Sequence, residues 1–400
     1  MNAWRGALVL GLVAATSCGP AAGPAATATT RDSVGIRIVE NQAPVHSDAP
    51  WVLDSLPIID LGSQEFSGFV DPIRLSDGRV VVANGGTNEL RFFGADGKLL
   101  KTVGRKGSGP GEFQQLGWLE LGVGDTLRTY DWSLRRFSVF AGDGALQRLT
   151  TLRSGSESSS PRPVGTLRDG RLIALSQHVV TTSSKPGAGR DTMPLQVYDA
   201  GGVLRDSLGR WPGPEHLIET GPNTVSVSGL PFGKDLFVVV HEARLYVGTA
   251  DGPEVVVLKA DGTPEQIVRW VAPAVPVAPA DREAYLATLG EGWLPGQEAM
   301  RARFFEMIKR APFPKWKPAY AGLLVGSDGS IWVRGYTEPD KAAPTVFAVF
   351  DAAGRWLGAV RMPAQFTPTQ IGAGFVTGIW KDADDVLQVR VYRLVSGPRT

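Results

Sequence analysis

Apolar and polar residues alternate along most of this chain in short runs, and each run closes on a turn rich in Gly, Asp or Pro. Period-two alternation between turn signals predicts many short, half-buried strands. One phrase recurs five times: an apolar strand with an aromatic or aliphatic ending, a tight turn, then a second strand. The copies are Leu90 to Gly104, Phe137 to Leu149, Leu195 to Gly209, Val255 to Val268 and Phe347 to Val360. Self-similarity at a near-constant spacing marks a repeat architecture.

Each phrase supplies the outer half of a four-stranded unit, and the inner half lies just upstream. Asp71 to Ala83, Pro163 to Leu175 and Gly322 to Arg334 each read as strand, Asp-Gly turn, strand. Asp-Gly tolerates the positive φ angles that a two-residue hairpin turn demands. Phe237 to Val247, turning at His241-Glu242-Ala243, and Trp118 to Arg128 are the equivalents in the fourth and second units. Five units therefore run from 70 to 362. A sixth is split: Phe375 to Leu394 supplies inner strands, and Ile58 to Gly62 matches the missing outer one. Pairing an N-terminal strand with C-terminal ones removes the open sheet edge. The expected fold is all-β, a six-bladed β-propeller of four-stranded antiparallel blades over residues 35–400, its ring closed by the N-terminal strand. Seven blades is the competing count.

The pattern breaks over residues 278–320, a predicted helical insert between the fourth and fifth blades. Asp281 to Leu289 reads as a helix ending at Gly290. Gln297 to Ala311 carries Met300, Phe304, Met307, Ile308 and Ala311 on one stripe, and Pro312 ends it. Phe313 to Tyr320 follows as an extended connector. The insert leaves the barrel on the face that holds the inter-blade connectors, the mouth face. It is either a lid there or a cover for the apolar edge of two blades.

Composition narrows this only in part. The chain has 400 residues, 43% of them hydrophobic, with 49 Gly and 29 Pro that suit a protein of many turns. A net charge of +1 argues against a nucleic-acid partner, which needs a clear basic excess. The first residues read as an export signal: Arg5, then the short apolar stretch Gly6 to Ala15. The single cysteine follows in Ala15-Thr16-Ser17-Cys18-Gly19, which resembles a bacterial lipoprotein cleavage box. That resemblance implies a signal peptide over 1–17, lipidation of Cys18, and, with Gly19 next, an outer-membrane location. Ordinary cleavage after Ala21 or Ala26 is the alternative. Residues 18–34, low in complexity, read as a flexible tether.

Two segments resemble NHL-repeat propellers. Tyr130 to Phe140 resembles the Asp-x-x-Asn-x-Arg-Ile/Val core, with Leu134 in place of Asn, and Val103 to Phe113 resembles the glycine-rich connector between blades. The whole chain is similar to exported six-bladed propeller lipoproteins of Gram-negative bacteria, a family defined by fold and largely without assigned activities.

Candidate chemistry is sparse. The glycines of Gly104 to Gly111 lack the Lys-Ser/Thr and the helix that a phosphate loop needs, and so read as a tight connector. The four histidines, His46, His178, His216 and His241, are the candidates for zinc, with His241 on the face opposite the other mouth residues. Resemblance to calcium-dependent propeller lactonases nominates Asn84, Asn88, Asp131 and Glu338. No Gly-x-Ser-x-Gly is present. The mouth face instead gathers Arg105, Lys106, Asp131, Trp132, His178, Arg210, Trp211, His216, Trp316, Arg334 and Tyr336, with Lys315 and Lys317 from the insert. Trp, Tyr and Arg are the residues that anchor binding surfaces. The expectation is a monomeric, cofactor-free, envelope-anchored binding module for a protein, peptide or glycan. The alternative is a metal-dependent lactonase- or lyase-like propeller enzyme, with Ca²⁺ or Zn²⁺ in the central channel.

Overall fold

The computed structural model describes residues 27–46, 51–62, 64–153, 159–178, 185–220, 225–289, 296–337 and 343–397. The signal peptide, Cys18, most of the tether, Glu338 and Gly290 lie outside the described residues, as does the side chain of His178.

The strands assemble into six separate sheets, none closed on itself, mostly antiparallel and four-stranded. The first sheet is Val70–Arg74, Val80–Asn84, Glu89–Phe93 and Leu99–Val103, and the second is Leu116–Leu121, Leu127–Asp131, Arg136–Phe140 and Leu146–Thr151. The fifth runs from Gly322–Val325 to Trp356–Met362 in simple meander order. The sixth joins Phe366–Gly372, Phe375–Lys381 and Leu387–Ser396 to the N-terminal strand Trp51–Asp60. That last pairing is antiparallel from Ser396–Trp51 to Arg390–Asp60, as the split sixth unit predicted. Its first strand, Phe366–Gly372, is an addition to the predicted unit.

The repeated Asp-Gly phrases set the turns by one chemistry. Gly78 N donates to Leu75 O at 3.1 Å, Gly78 sits at φ 91°, and Asp77 Oδ1 accepts from Arg79 N at 3.0 Å. Gly97, Gly144, Gly202, Gly262 and Gly354 repeat the positive φ in the outer turns, each beside a register shift. Only the glycine takes the left-handed conformation, so these are longer turns with a glycine bulge rather than the two-residue hairpins expected.

The core is divided among the sheet interfaces. Ile73, Phe92 and Phe140 pack between sheets one and two, and Phe137, Ala174 and Tyr198 between two and three. Leu175, Leu195 and Leu245 fill the next gap, Val255, Tyr320 and Phe350 the one after, and Trp332, Phe347 and Phe366 the fifth. The sixth cluster, with Val389, Val391, Val80 and Phe93, joins the last sheet to the first. First strands of successive sheets adjoin, including Phe366–Gly372 against Val70–Arg74. There Gln370 clamps the strand edge, accepting from Arg74 N at 2.8 Å and donating to Arg74 O at 3.2 Å. These inner strands carry Pro72, Pro161, Pro163 and Pro368, tolerated because one edge of each is unpaired.

Two sheets exceed the four strands predicted. In the third, Gly187–Tyr198 and Leu204–Thr220 form a long hairpin extended by Val225–Gly229. Pro212 and Gly213 fall where the ladder of this hairpin shifts register, between Arg190–Glu215 and Thr192–Pro212. The fourth sheet gains Ile36–Asn41, parallel to Pro264–Trp270, and then Ala28–Ser33. Residues 28–33, expected in a flexible tether, are thus a paired strand. Asn41 fixes this addition by donating to Arg269 O and Gly354 O and accepting from Trp356 N.

The insert forms two helices, α1 (Pro279–Thr288) and α2 (Glu298–Arg310). Met307, Ile308 and Ala311 pack on Leu217 of the long hairpin, so the insert covers an apolar face of the third sheet's extension. Among the described residues no helix is long and apolar enough to cross a membrane.

Candidate functional site

The chain enters and leaves the helical insert through one neck. Val277 N donates to Lys315 O, and Lys317 N donates to Val275 O. Past the neck, Ala319 N bonds Ala250 O, and Tyr320 OH donates to Glu254 O at 2.9 Å. These bonds seat the connector on the turn between Arg244–Gly248 and Glu254–Lys259. Between neck and turn lies a cleft of about 320 Å³, walled by Pro253, Val275, Trp316 and Pro318 with Lys234, Asp251 and Tyr336. Trp316 stays 43% exposed, with Lys315 Nζ 5.1 Å from its ring.

The charges of this cleft are internally matched. Asp251 Oδ1 accepts from Lys234 Nζ and Arg190 Nη1, both at 2.8 Å. Burial acts to raise its carboxyl, but hydrogen bonds from Lys234 and Thr249 and the two cations hold it below the usual range. Arg190 also donates to Gly213 O and Thr249 O, tying the long hairpin to the turn. Lys317 pairs with Asp281 at 2.9 Å, which likewise sits low through a bond from the Ala278 amide and that lysine.

Of the mouth-face candidates, Trp316 and Tyr336 meet in this cleft. Trp211 lines an adjoining cavity that shares Asp251 and Pro253. His216 borders a third cavity with Asp191, its Nε2 3.7 Å from that carboxylate. Arg210 is bound to Thr192 Oγ1 at 3.0 Å and lines none of these. Arg105, 79% exposed in its side chain, pairs with Glu112 and lies with Lys106 in the first-to-second-sheet connector. Arg334 donates to Ala321 O, and burial pulls its guanidinium below the usual range.

The nominated calcium ligands hold backbone instead. Asp131 is fully buried: Oδ2 accepts from Gln114 N at 2.6 Å and Gln115 N at 3.0 Å, and Oδ1 from Leu134 N at 2.8 Å. Asn84 accepts from Ser67 N, and Asn88 accepts from Leu116 N. Asn88 thereby anchors the connector into the second sheet from the first, and Asn84 and Asp131 anchor the connectors that enter their own sheets, which removes Asp131 from the ligand-binding set. His241 is part-buried, and burial lowers its pKa; it lies at the turn into Arg244, as expected. Among the described residues no group of three or more His, Cys, Asp and Glu is placed to hold a metal ion.

A fourth cavity, about 420 Å³, opens among the inner strands. Trp118 and Trp132 come from the second sheet and its turn, Arg162 from the third, Asp235 and Phe237 from the fourth, and Leu323 from the fifth. Trp132 stands edge-on to Tyr130, 5.1 Å between centroids, and lies so close to Gly117 that a Cβ there would overlap its indole nitrogen. The Nε of Arg162 is shut from solvent and has no partner. Arg162, Lys234, Asp235 and Asp251 escaped the sequence reading; only the Pro-flanked position of Arg162 in an inner strand hinted at it.

No family model matches this chain, and no curated protein does. Among solved structures, a candidate exported protein from Bacteroides fragilis is 11% identical, with a TM-score of 0.48 over 90% of this chain and 99% of that one. A DUF4221 member from Bacteroides vulgatus is 9% identical, with a TM-score of 0.48 over 87% and 98%. A gluconolactonase from Xanthomonas campestris is 13% identical, with a TM-score of 0.40 over 88% and 99%. These are propeller-type folds.

Proposed function

We propose that this chain is an exported, lipid-anchored six-bladed propeller that binds a protein, peptide or glycan at the mouth face, in the cleft beside the helical neck. Support for six blades in a closed ring comes from the cyclic series of core clusters, the Gln370 clamp on Arg74 and the pairing of Trp51–Asp60 with Leu387–Ser396. Support for the binding role comes above all from Trp316, a half-exposed indole on a cleft whose cations are already paired. What such a cleft offers a partner is an aromatic face, carbonyls and proline surface. A sugar ring or an apolar peptide uses those without a net charge.

The test is a titration of the full-length chain against immobilised glycans and peptides. Trp316→Ala should weaken the bound ligand at least tenfold, about 1.4 kcal/mol, while Lys106→Ala leaves it unchanged. A ligand indifferent to Trp316, or none at all, overturns the cleft. Anchoring has a separate check: Cys18→Ala should move the chain to the soluble fraction, and persistent membrane association refutes lipidation.

A further inference from the structure

The inner cavity differs from every other concavity described above in holding a cation with nothing to pair it. Among the described residues Arg162 makes no hydrogen bond and no ion pair, and its Nε is sealed from water. Trp118 and Trp132 line the same cavity, and their indole N–H groups are open to solvent, with no protein acceptor among the described residues. Only the Arg162 Nε among these donors is shut from solvent, and an unpartnered buried donor is costly, more so on a charged group. The terminal nitrogens of the guanidinium are not shut off in this way, and a carboxylate matches them in two parallel bonds.

Size and lining limit the anion further. A volume near 420 Å³ has room for on the order of ten non-hydrogen atoms, since a liquid water takes about 30 Å³. Beyond Arg162 the wall is Trp118, Trp132, Phe237 and Leu323, apolar surface suited to a ring or a short chain. Asp235, also in the lining, disfavours a second negative charge. Its own Oδ1 accepts from Leu236 N at 2.7 Å, which holds it in place.

We propose that this inner cavity is a binding site for a monocarboxylate with an apolar, ring-bearing body, its carboxylate on Arg162 and its body between the tryptophans and Phe237. The carboxylate belongs either to a free small acid or to the C-terminus of a peptide. The site is independent of the Trp316 cleft.

Calorimetry on the full-length chain with phenylacetate as probe tests it. Phenylacetate should bind and raise the unfolding temperature, while neutral phenylacetamide should do neither. Arg162→Gln should weaken phenylacetate at least tenfold, and Arg162→Lys by less, because lysine keeps the charge and loses the fork. Unliganded Arg162→Gln should unfold no earlier than the parent, since it gives up an unpaired cation. A short peptide ending in Phe, compared as free acid and as amide, separates the two sources. If the peptide acid binds and phenylacetate does not, the carboxylate site stands with a peptide ligand. Equal binding to Arg162→Gln, equal binding of phenylacetamide, or no binding of either acid overturns the proposal. Trp316→Ala should leave phenylacetate binding intact, so a failure here is distinguishable from a failure of the mouth-face reading.

Discussion

The neck cleft, with one tryptophan, and the inner cavity, with two, are of similar size, yet they treat charge oppositely. At the neck Asp251 gathers Lys234 and Arg190, and Lys317 is held by Asp281. Among the inner strands Arg162 stands unpaired. Asp71, on Val70–Arg74, is raised to about 8 by burial alone. Paired charges fasten parts of a fold to one another. Unpaired ones in a sheltered place store free energy that a ligand or a proton can release.

The most damaging way to break the comparison is to remove the frame around the inner cavity. Asp131→Ala leaves three backbone donors without their acceptor and detaches the connector beside Trp132. A loss of about 3 kcal/mol or more in urea unfolding is expected, since each orphaned buried donor costs about 1–3 kcal/mol. An unchanged midpoint would mean that the connector holds without its carboxylate. Gly117→Ala is next: the new methyl displaces the Trp132 indole, at about 1–3 kcal/mol by overpacking, and phenylacetate binding should fall with it.

Asp71→Asn sharpens the contrast through pH. The folded carboxyl keeps its proton to about 8, whereas the unfolded chain releases it near 3.8. Between those values the unfolded state binds fewer protons, so this group costs stability increasingly as pH rises. The amide variant should match the parent at pH 4 and exceed it at pH 7. The gain is on the order of 1 kcal/mol for every tenfold by which folding tightens the carboxyl's hold on its proton. Parallel pH curves for the two proteins would refute the burial effect. Smallest is Asp251→Asn, which releases two cations at a half-exposed site and should cost no more than about 1 kcal/mol. Its informative readout is binding, because the neck cleft should then acquire a preference for anions.

The same contrast shows what a linear reading can reach. The Asp-Gly phrases carry their own turn chemistry within four residues, so strand order and the split last sheet were legible. Both insert helices were legible, the second from the apolar stripe ending at Ala311 and from Pro312. Ile36–Asn41 was not, because it pairs with Pro264–Trp270, whose place beside it depends on the completed sheet. Arg162 was hidden for a similar reason: nothing near Pro161 and Pro163 says that two tryptophans from the preceding sheet will face it. Asp131 was visible as a polar residue at a strand end, but whether it holds a ligand or a backbone depends on where Gln114 and Gln115 arrive.

The pairing of Trp51–Asp60 with Leu387–Ser396 has a consequence for biosynthesis. The early strand has no antiparallel partner until more than three hundred further residues have been made, and closing so long a loop is slow. During that wait the early strand itself stands unpaired, and an unpaired strand edge recruits other chains. A chain threaded unfolded across a membrane before its final strand appears would avoid that danger, provided that something on the far side shields the waiting strand until its partner arrives.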